Sequence, residues 1–174
     1  MNYFEFYDLP VSFQVDENLL RARFYEKSRA YHPDFHTLAS HEQQEAVLEK
    51  STINNQAFKT LKDFDERLKY ILELFGKIKN EGENKVPQDF LMDMMEINEN
   101  LMELEMDPSV AARKTLLDEI SSIEKNAHQE VQSFTEKDLT TLTEEEWTAI
   151  CDYYFKRRYL KRLQENIDKI TDDL

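Results

Sequence analysis

Between Asp16 and Tyr31 the apolar side chains of Leu20, Phe24 and Tyr31 recur at intervals of 4 and 7 residues, which gathers them on one face of a helix. Asp16 suits the N-cap, and the spacing predicts a helix over 16–32. Pro33 cannot continue it and drives His32 toward an extended backbone. A second helical pattern opens at Ser40 with Gln43 three residues on, a capping box, and runs over about 41–61. A short helix over Tyr3–Asp8 precedes this pair. A further one follows over Asp63–Leu74, carrying Arg67, Leu68, Ile71 and Leu72.

The pattern then lapses. Both glycines, Gly76 and Gly82, fall in a polar stretch that ends at Pro87 and has no apolar periodicity, which reads as a linker over 77–87 between helical domains at 1–76 and 88–174. Gly76 sits where a helix C-terminus needs it. The second domain offers three helical segments. The first spans Gln88 to about Glu105, Asp107-Pro108 ends it and starts the second, and the second continues to about Phe134. The third opens at Thr143 with Glu146 completing a capping box, and carries Trp147, Ile150, Tyr154, Leu160, Leu163, Ile167 and Ile170. Three helices with short connections predict a small antiparallel bundle, so the whole chain is expected to be all-α.

Composition narrows the function. No run of about 18 apolar residues exists to span a bilayer, and the start of the chain lacks the pattern of a signal or transit segment. Cys151 is the only cysteine, so no internal disulfide can form; a reducing, cytoplasmic setting is the simple expectation. A net charge of −14 argues against nucleic-acid binding. That charge is uneven: residues 1–76 carry 9 Lys/Arg and 13 Asp/Glu, whereas residues 88–174 carry 10 and 21. The acidity of the second region suggests a different partner from the first.

Between the first two long helices, Tyr31-His32-Pro33-Asp34 places an imidazole and a carboxylate on an exposed tip. In isolation such a tripeptide is an ordinary helix-breaking turn. A metal reading of the His32, His36 and His41 cluster with Asp34 requires a Pro-containing loop to bend back on itself, and zinc wants three or four fixed ligands. No Ser or Cys accompanies the histidine as a nucleophile, so hydrolysis fares worse. In context, with Asn55-Gln56-Ala57-Phe58 and Leu61 downstream, the region resembles a J domain, the module that switches on DnaK-type chaperone ATPases. The resemblance implies that His32, Pro33 and Asp34 contact the chaperone. Arg21, Tyr25 and Arg29 share one face of the preceding helix at i, i+4 and i+8. A solvated surface is the plain reading of that face, and the J-domain resemblance implies a second, a basic surface that meets an acidic one. Two positions depart from the J pattern: Lys27 stands where an apolar residue is usual, its stem expected along the core edge, and Phe35 stands where a basic residue commonly follows the aspartate.

The segment after the linker is over-supplied with apolar residues. Phe90, Met94, Ile97, Leu101 and Leu104 form one stripe, sufficient for bundle packing. Leu91, Met95 and Met102 form another row, about 100° round the helix, with Met92 further still. The extra row is either a broad core contact or an exposed patch for a protein partner. Asp89, Asp93, Glu96, Glu99, Glu103 and Glu105 cover the remainder without a basic residue, which suits a partner with a basic rim. On the third bundle helix, Trp147, Tyr153, Tyr154 and Phe155 read as core and Cys151 as a small buried hydrophobe, while His128 carries no signal.

Phe90-Leu91-Met92 with Glu96, Glu99 and Glu103 resembles the HscB family, the J-type co-chaperones of iron–sulfur cluster assembly; so do Asn2-Tyr3-Phe4, Leu9-Pro10 and the 61–72 segment. The resemblance covers nearly the whole chain. It implies a co-chaperone without enzymatic chemistry or cofactor, partnered by an HscA-like chaperone ATPase and an IscU-like scaffold protein. The scaffold contacts it implies are Leu91, Met92, Met95, Glu96, Glu99, Glu103 and Tyr159. A J protein serving a different client is the alternative. One cysteine cannot build the zinc-binding extension of some eukaryotic members.

Overall fold

The computed structural model describes residues 1–78 and 86–171, which are helical with connecting turns and contain no strand. It divides into two compact units, Met1–Gly76 and Lys77–Leu174. The centre of the expected linker, residues 79–85 with Gly82, lies outside the described residues.

The first unit has four helices: α1 (Tyr3–Phe6), α2 (Glu17–Ala30), α3 (His41–Lys62) and α4 (Phe64–Leu74). Each begins on a side-chain cap that satisfies an amide the helix itself leaves unpaired. Asn2 and Glu5 form a capping box on α1, Asp16 accepts from the amides of Asn18 and Leu19, Ser40 and Gln43 form the expected box on α3, and Asp63 accepts from Glu66. Gly76 closes α4 with φ +66, the left-handed conformation that its position after the helix anticipates.

α3 is the hub of this unit and packs against α1, α2 and α4. Ala57 and Leu61 on α3 are fully enclosed with Phe4, Leu20, Leu68, Ile71 and Leu72, while Phe24 of α2 stacks on Phe58 of α3 with ring centroids 4.2 Å apart. One polar residue shares that interior. Asn54 is 2% exposed, and its Nδ2 donates to Ser28 Oγ at 2.9 Å and to the Phe24 carbonyl at 3.3 Å. The Tyr7 hydroxyl lies 2.8 Å from both the Oδ1 and the main-chain oxygen of Asn54. Burial pushes the Tyr7 phenol well above its ordinary pKa, so it remains a donor. Arg67 is also buried; its guanidinium donates to the carbonyls of Phe13 and Leu61, which fastens the 9–16 connection to α4.

The second unit contains α5 (Gln88–Asp93), α6 (Met95–Met106), α7 (Val110–Thr135) and α8 (Glu144–Thr171). The segment expected as one helix from Gln88 to about Glu105 is therefore two, broken at Met94, whose ψ has relaxed to −2. The Met94 carbonyl accepts twice, from the Asn98 amide at 3.0 Å and from Asn98 Nδ2 at 2.7 Å. A side chain that competes for a helical carbonyl in this way loosens the local turn. At the next junction Asp107 ends α6, but Ser109, not Asp107, caps α7. Thr143 and Glu146 exchange the two hydrogen bonds of the predicted box at the start of α8.

α7 and α8 form the long pair of this unit, and α6 packs on both. The predicted stripe of Phe90, Met94, Ile97, Leu101 and Leu104 is buried against Leu116 and Ile120 of α7 and Leu160, Leu163 and Ile167 of α8. Trp147, Tyr153, Tyr154 and Phe155 are buried as expected, whereas Cys151, one turn from both Trp147 and Phe155, is only half-buried. His128, silent in the sequence, lies with Nδ1 3.0 Å from the Tyr153 hydroxyl. Arg157 donates to the same hydroxyl and to Glu124.

Two stability experiments follow from this packing. Tyr7→Phe removes the donor that faces two buried oxygens of Asn54, so urea unfolding should show a loss of about 1–3 kcal/mol; an unchanged midpoint contradicts the network. Asp152 on α8 has its carboxyl held above the ordinary range, mainly by burial and further by nearby Asp89, with Lys156 opposing. A raised carboxyl pKa favours the fold at low pH, and that contribution is lost as pH rises through the folded-state value. Asp152→Asn should therefore raise Tm at neutral pH, with the gain shrinking as pH falls toward the ordinary carboxylate value of about 3.9.

Candidate functional site

The connection between α2 and α3 is an ordered turn. Tyr31 caps α2, its amide still bonded to the Lys27 carbonyl, and His32 is extended with ψ 123, as the following proline requires. Pro33–His36 forms one turn of 3-10 helix, with the Phe35 amide bonded to the His32 carbonyl. His32 Nδ1 accepts from the Asp34 amide at 3.3 Å and lies 3.8 Å from the Asp34 carboxylate. With Nδ1 engaged as acceptor, Nε2 carries the proton in the neutral ring.

Other side chains of the loop hold its backbone. His36 Nε2 meets the Ala30 carbonyl at 2.9 Å, and Gln44 Nε2 donates to the carbonyls of Thr37 and Ala39. His32 and Asp34 thus stand on a fixed frame with their side chains 51% and 83% exposed. An imidazole donor and a carboxylate acceptor presented outward have the chemistry to meet a polar surface. His41 faces Glu45 at 3.5 Å, and among the described residues no three His, Cys, Asp or Glu side chains are grouped to hold a metal ion.

Arg21, Tyr25 and Arg29 are all exposed on α2, with Tyr25 at 57%. Lys27, the departure noted in the sequence, is half-buried with its ammonium 4.8 Å from the centre of the Phe6 ring, so the charge rests on the core edge and the stem is packed. Phe35 is exposed, its ring 5.4 Å from that of His32.

In the second unit, the over-supply of apolar residues resolves into two faces. Whereas the Phe90–Leu104 stripe is buried, Leu91, Met92, Met95 and Met102 are 41%, 65%, 60% and 64% exposed. The extra row is therefore a surface, not a broader core. Asp89, Asp93, Glu96, Glu99, Glu103 and Glu105 are exposed around it. The break at Met94 does not scatter the row, because the Met94 amide still bonds the Phe90 carbonyl and the ladder resumes at Asn98.

Tyr159 differs from the other candidate positions. It is half-buried, its ring edge-on to Phe90 at 5.8 Å, and its hydroxyl accepts from Asn98 Nδ2 at 2.8 Å. It props α8 against the break between α5 and α6, from behind the exposed row. Asn98 was missed by sequence reasoning. The available signal was an asparagine one position beyond the buried Ile97, in a helix whose residues other than Asn98 and Asn100 are apolar or acidic. Asn54 was likewise missed, although it lies three residues before Ala57 and seven before Leu61 and so shares their face.

Residues 86–168 match the family model described as the HSCB C-terminal oligomerisation domain. The co-chaperone protein HscB homolog of Haemophilus influenzae is 32% identical over 173 residues, spanning 98% of this chain and 95% of the relative. The homolog of Vibrio cholerae is 29% identical over 177 residues, spanning 100% and 99%. Among solved structures, chaperone HscB from Vibrio cholerae aligns over 100% of this chain and 99% of its own with a TM-score of 0.77 and 27% identity. Human co-chaperone protein HscB aligns over 100% and 84%, with a TM-score of 0.81 and 29% identity. The likeness runs through both units, and the chain belongs to the HscB family of co-chaperones, with an N-terminal J domain and a C-terminal helical domain.

Proposed function

We propose that the chain is a two-site adaptor: its J domain stimulates ATP hydrolysis by a DnaK-type, HscA-like chaperone, and its helical bundle delivers an IscU-like iron–sulfur scaffold protein as the client. Residues 77–87 link the two. His32, Pro33 and Asp34 make the activating contact, while Arg21, Tyr25 and Arg29 supply the face that speeds and orients encounter with an acidic partner surface. Leu91, Met92 and Met95 anchor the scaffold, Glu96, Glu99 and Glu103 meet its basic rim, and Tyr159 supports the anchors from α8.

The observation that carries this reading is the pairing of an outward-facing, braced His-Pro-Asp turn with an exposed apolar row ringed by carboxylates. Monomeric surfaces seldom leave such a row uncovered without a partner. The oligomerisation named in the matched family description suggests a second copy of the chain as the occupant. A self-pairing of α6 brings two uniformly acidic faces together, and like-charge juxtaposition is unfavourable, so a partner with a basic rim fits better.

His32→Gln should fold normally, since exposed loop changes usually cost under about 0.5 kcal/mol. It should lose stimulation of the chaperone ATPase and keep scaffold binding. Equal turnover with mutant and parent protein would falsify the J-domain role. The bundle is tested by Leu91→Ala combined with Met95→Ala. Truncating central anchors costs about 2 kcal/mol or more, so calorimetry should show scaffold affinity falling at least tenfold at nearly constant Tm. If Tm collapses while the remaining folded protein binds normally, the scaffold site lies elsewhere.

A further inference from the structure

We propose that Phe35 and Leu38 form a specificity contact beside the His-Pro-Asp turn, by which the loop selects a chaperone whose facing surface carries an apolar depression. The inference rests on the proposed reading of that loop as the chaperone contact and deepens it. Phe35 is 73% exposed and Leu38 is fully exposed, in a loop whose other residues are small, polar or proline. Leaving two large apolar side chains in water is unfavourable, and a free loop relieves it by folding them back.

The backbone of this loop cannot move to bury them without breaking the bonds that surround them. Upstream, the Phe35 amide is tied to the His32 carbonyl and His36 to the Ala30 carbonyl. Downstream, Gln44 holds the carbonyls of Thr37 and Ala39. The frame that presents His32 thus presents Phe35 and Leu38 too, and the Phe35 ring lies 5.4 Å from the His32 ring, continuous with the site.

Charge points to the same occupant. No Lys or Arg occurs between Arg29 and Lys50, so the loop offers an acidic partner surface no cation. What it offers next to the imidazole is apolar area. Arg21 and Arg29 steer through a salt-sensitive field, whereas the Phe35 and Leu38 contact sets how long the complex lasts and which chaperone it accepts.

The full chain should be tested for stimulation of a DnaK-type ATPase as a function of its concentration, at low and at raised salt. Phe35→Ser with Leu38→Ser should raise the half-maximal concentration about tenfold, the loss of roughly one decade of affinity. The maximal rate at saturation and Tm should be unchanged. The ratio of variant to parent should be the same at both salt concentrations, because an apolar contact is not screened. Phe35→Leu should restore most of the affinity, and His32→Gln should instead abolish the maximal rate. If the parent stimulates and the double variant matches it at every concentration, the inference is wrong and the adaptor reading stands. A parent that does not stimulate at all overturns the reading and the inference with it.

Discussion

The carboxamide of Asn54 is the interaction on which the J domain's geometry depends. It is enclosed among apolar side chains, and it faces Tyr7 from the end of α1 and both Ser28 and the Phe24 carbonyl from α2. A buried amide is tolerated only when its donors and acceptors are met, and the partners here come from two other stretches of chain, the end of α1 and α2. Apolar packing, with Phe24 stacked on Phe58, already favours one register of α2 on α3. The amide sharpens it, because a shift of one turn leaves several polar groups unpaired at once. The register of the two helices, and hence the place where the His-Pro-Asp turn emerges, is fixed by this polar point.

The bundle uses a related device. Asn98 draws on the Met94 carbonyl and donates to Tyr159, so one side chain both marks the break between α5 and α6 and joins α6 to α8. Behind it the Phe90–Leu104 stripe is packed, and in front of it the Leu91–Met102 row is exposed. The α5–α6 segment thereby presents two faces, one packed for stability and one left exposed. Tyr159 belongs to both, with its ring in the interior and its hydroxyl on the hinge.

Much of this was legible in the sequence, for identifiable reasons. Capping residues such as Asp16, Ser40 and Thr143 act over three positions, so local chemistry determines where helices start. The buried stripe of the bundle follows from helical period alone. What periodicity leaves open is what lies opposite a face. Whether Leu91, Met95 and Met102 were core or surface turned on whether another helix covered them, and none of the described residues does so fully. The break at Met94 was unreadable because no proline or glycine announces it; what accompanies it is a side chain four residues on, whose amide returns to the Met94 carbonyl. Asn54 was hidden by its own polarity: a hydrophobic count passes over an asparagine on an apolar face. Cys151 is half-buried although it stands four residues from each of the buried Trp147 and Phe155, so neither its size nor its helical position announces that exposure.

The exposed row also has a redox character. Met92, Met95 and Met102 are exposed to solvent, while Met94, only 2% exposed, is shielded in the core. Oxidants convert accessible methionine to its sulfoxide, which is polar and chiral, and the reaction is reversible only by dedicated reductases. In this bundle such damage falls on the exposed row and spares the stripe that holds the helices together. The fold can outlast the chemistry of its own surface.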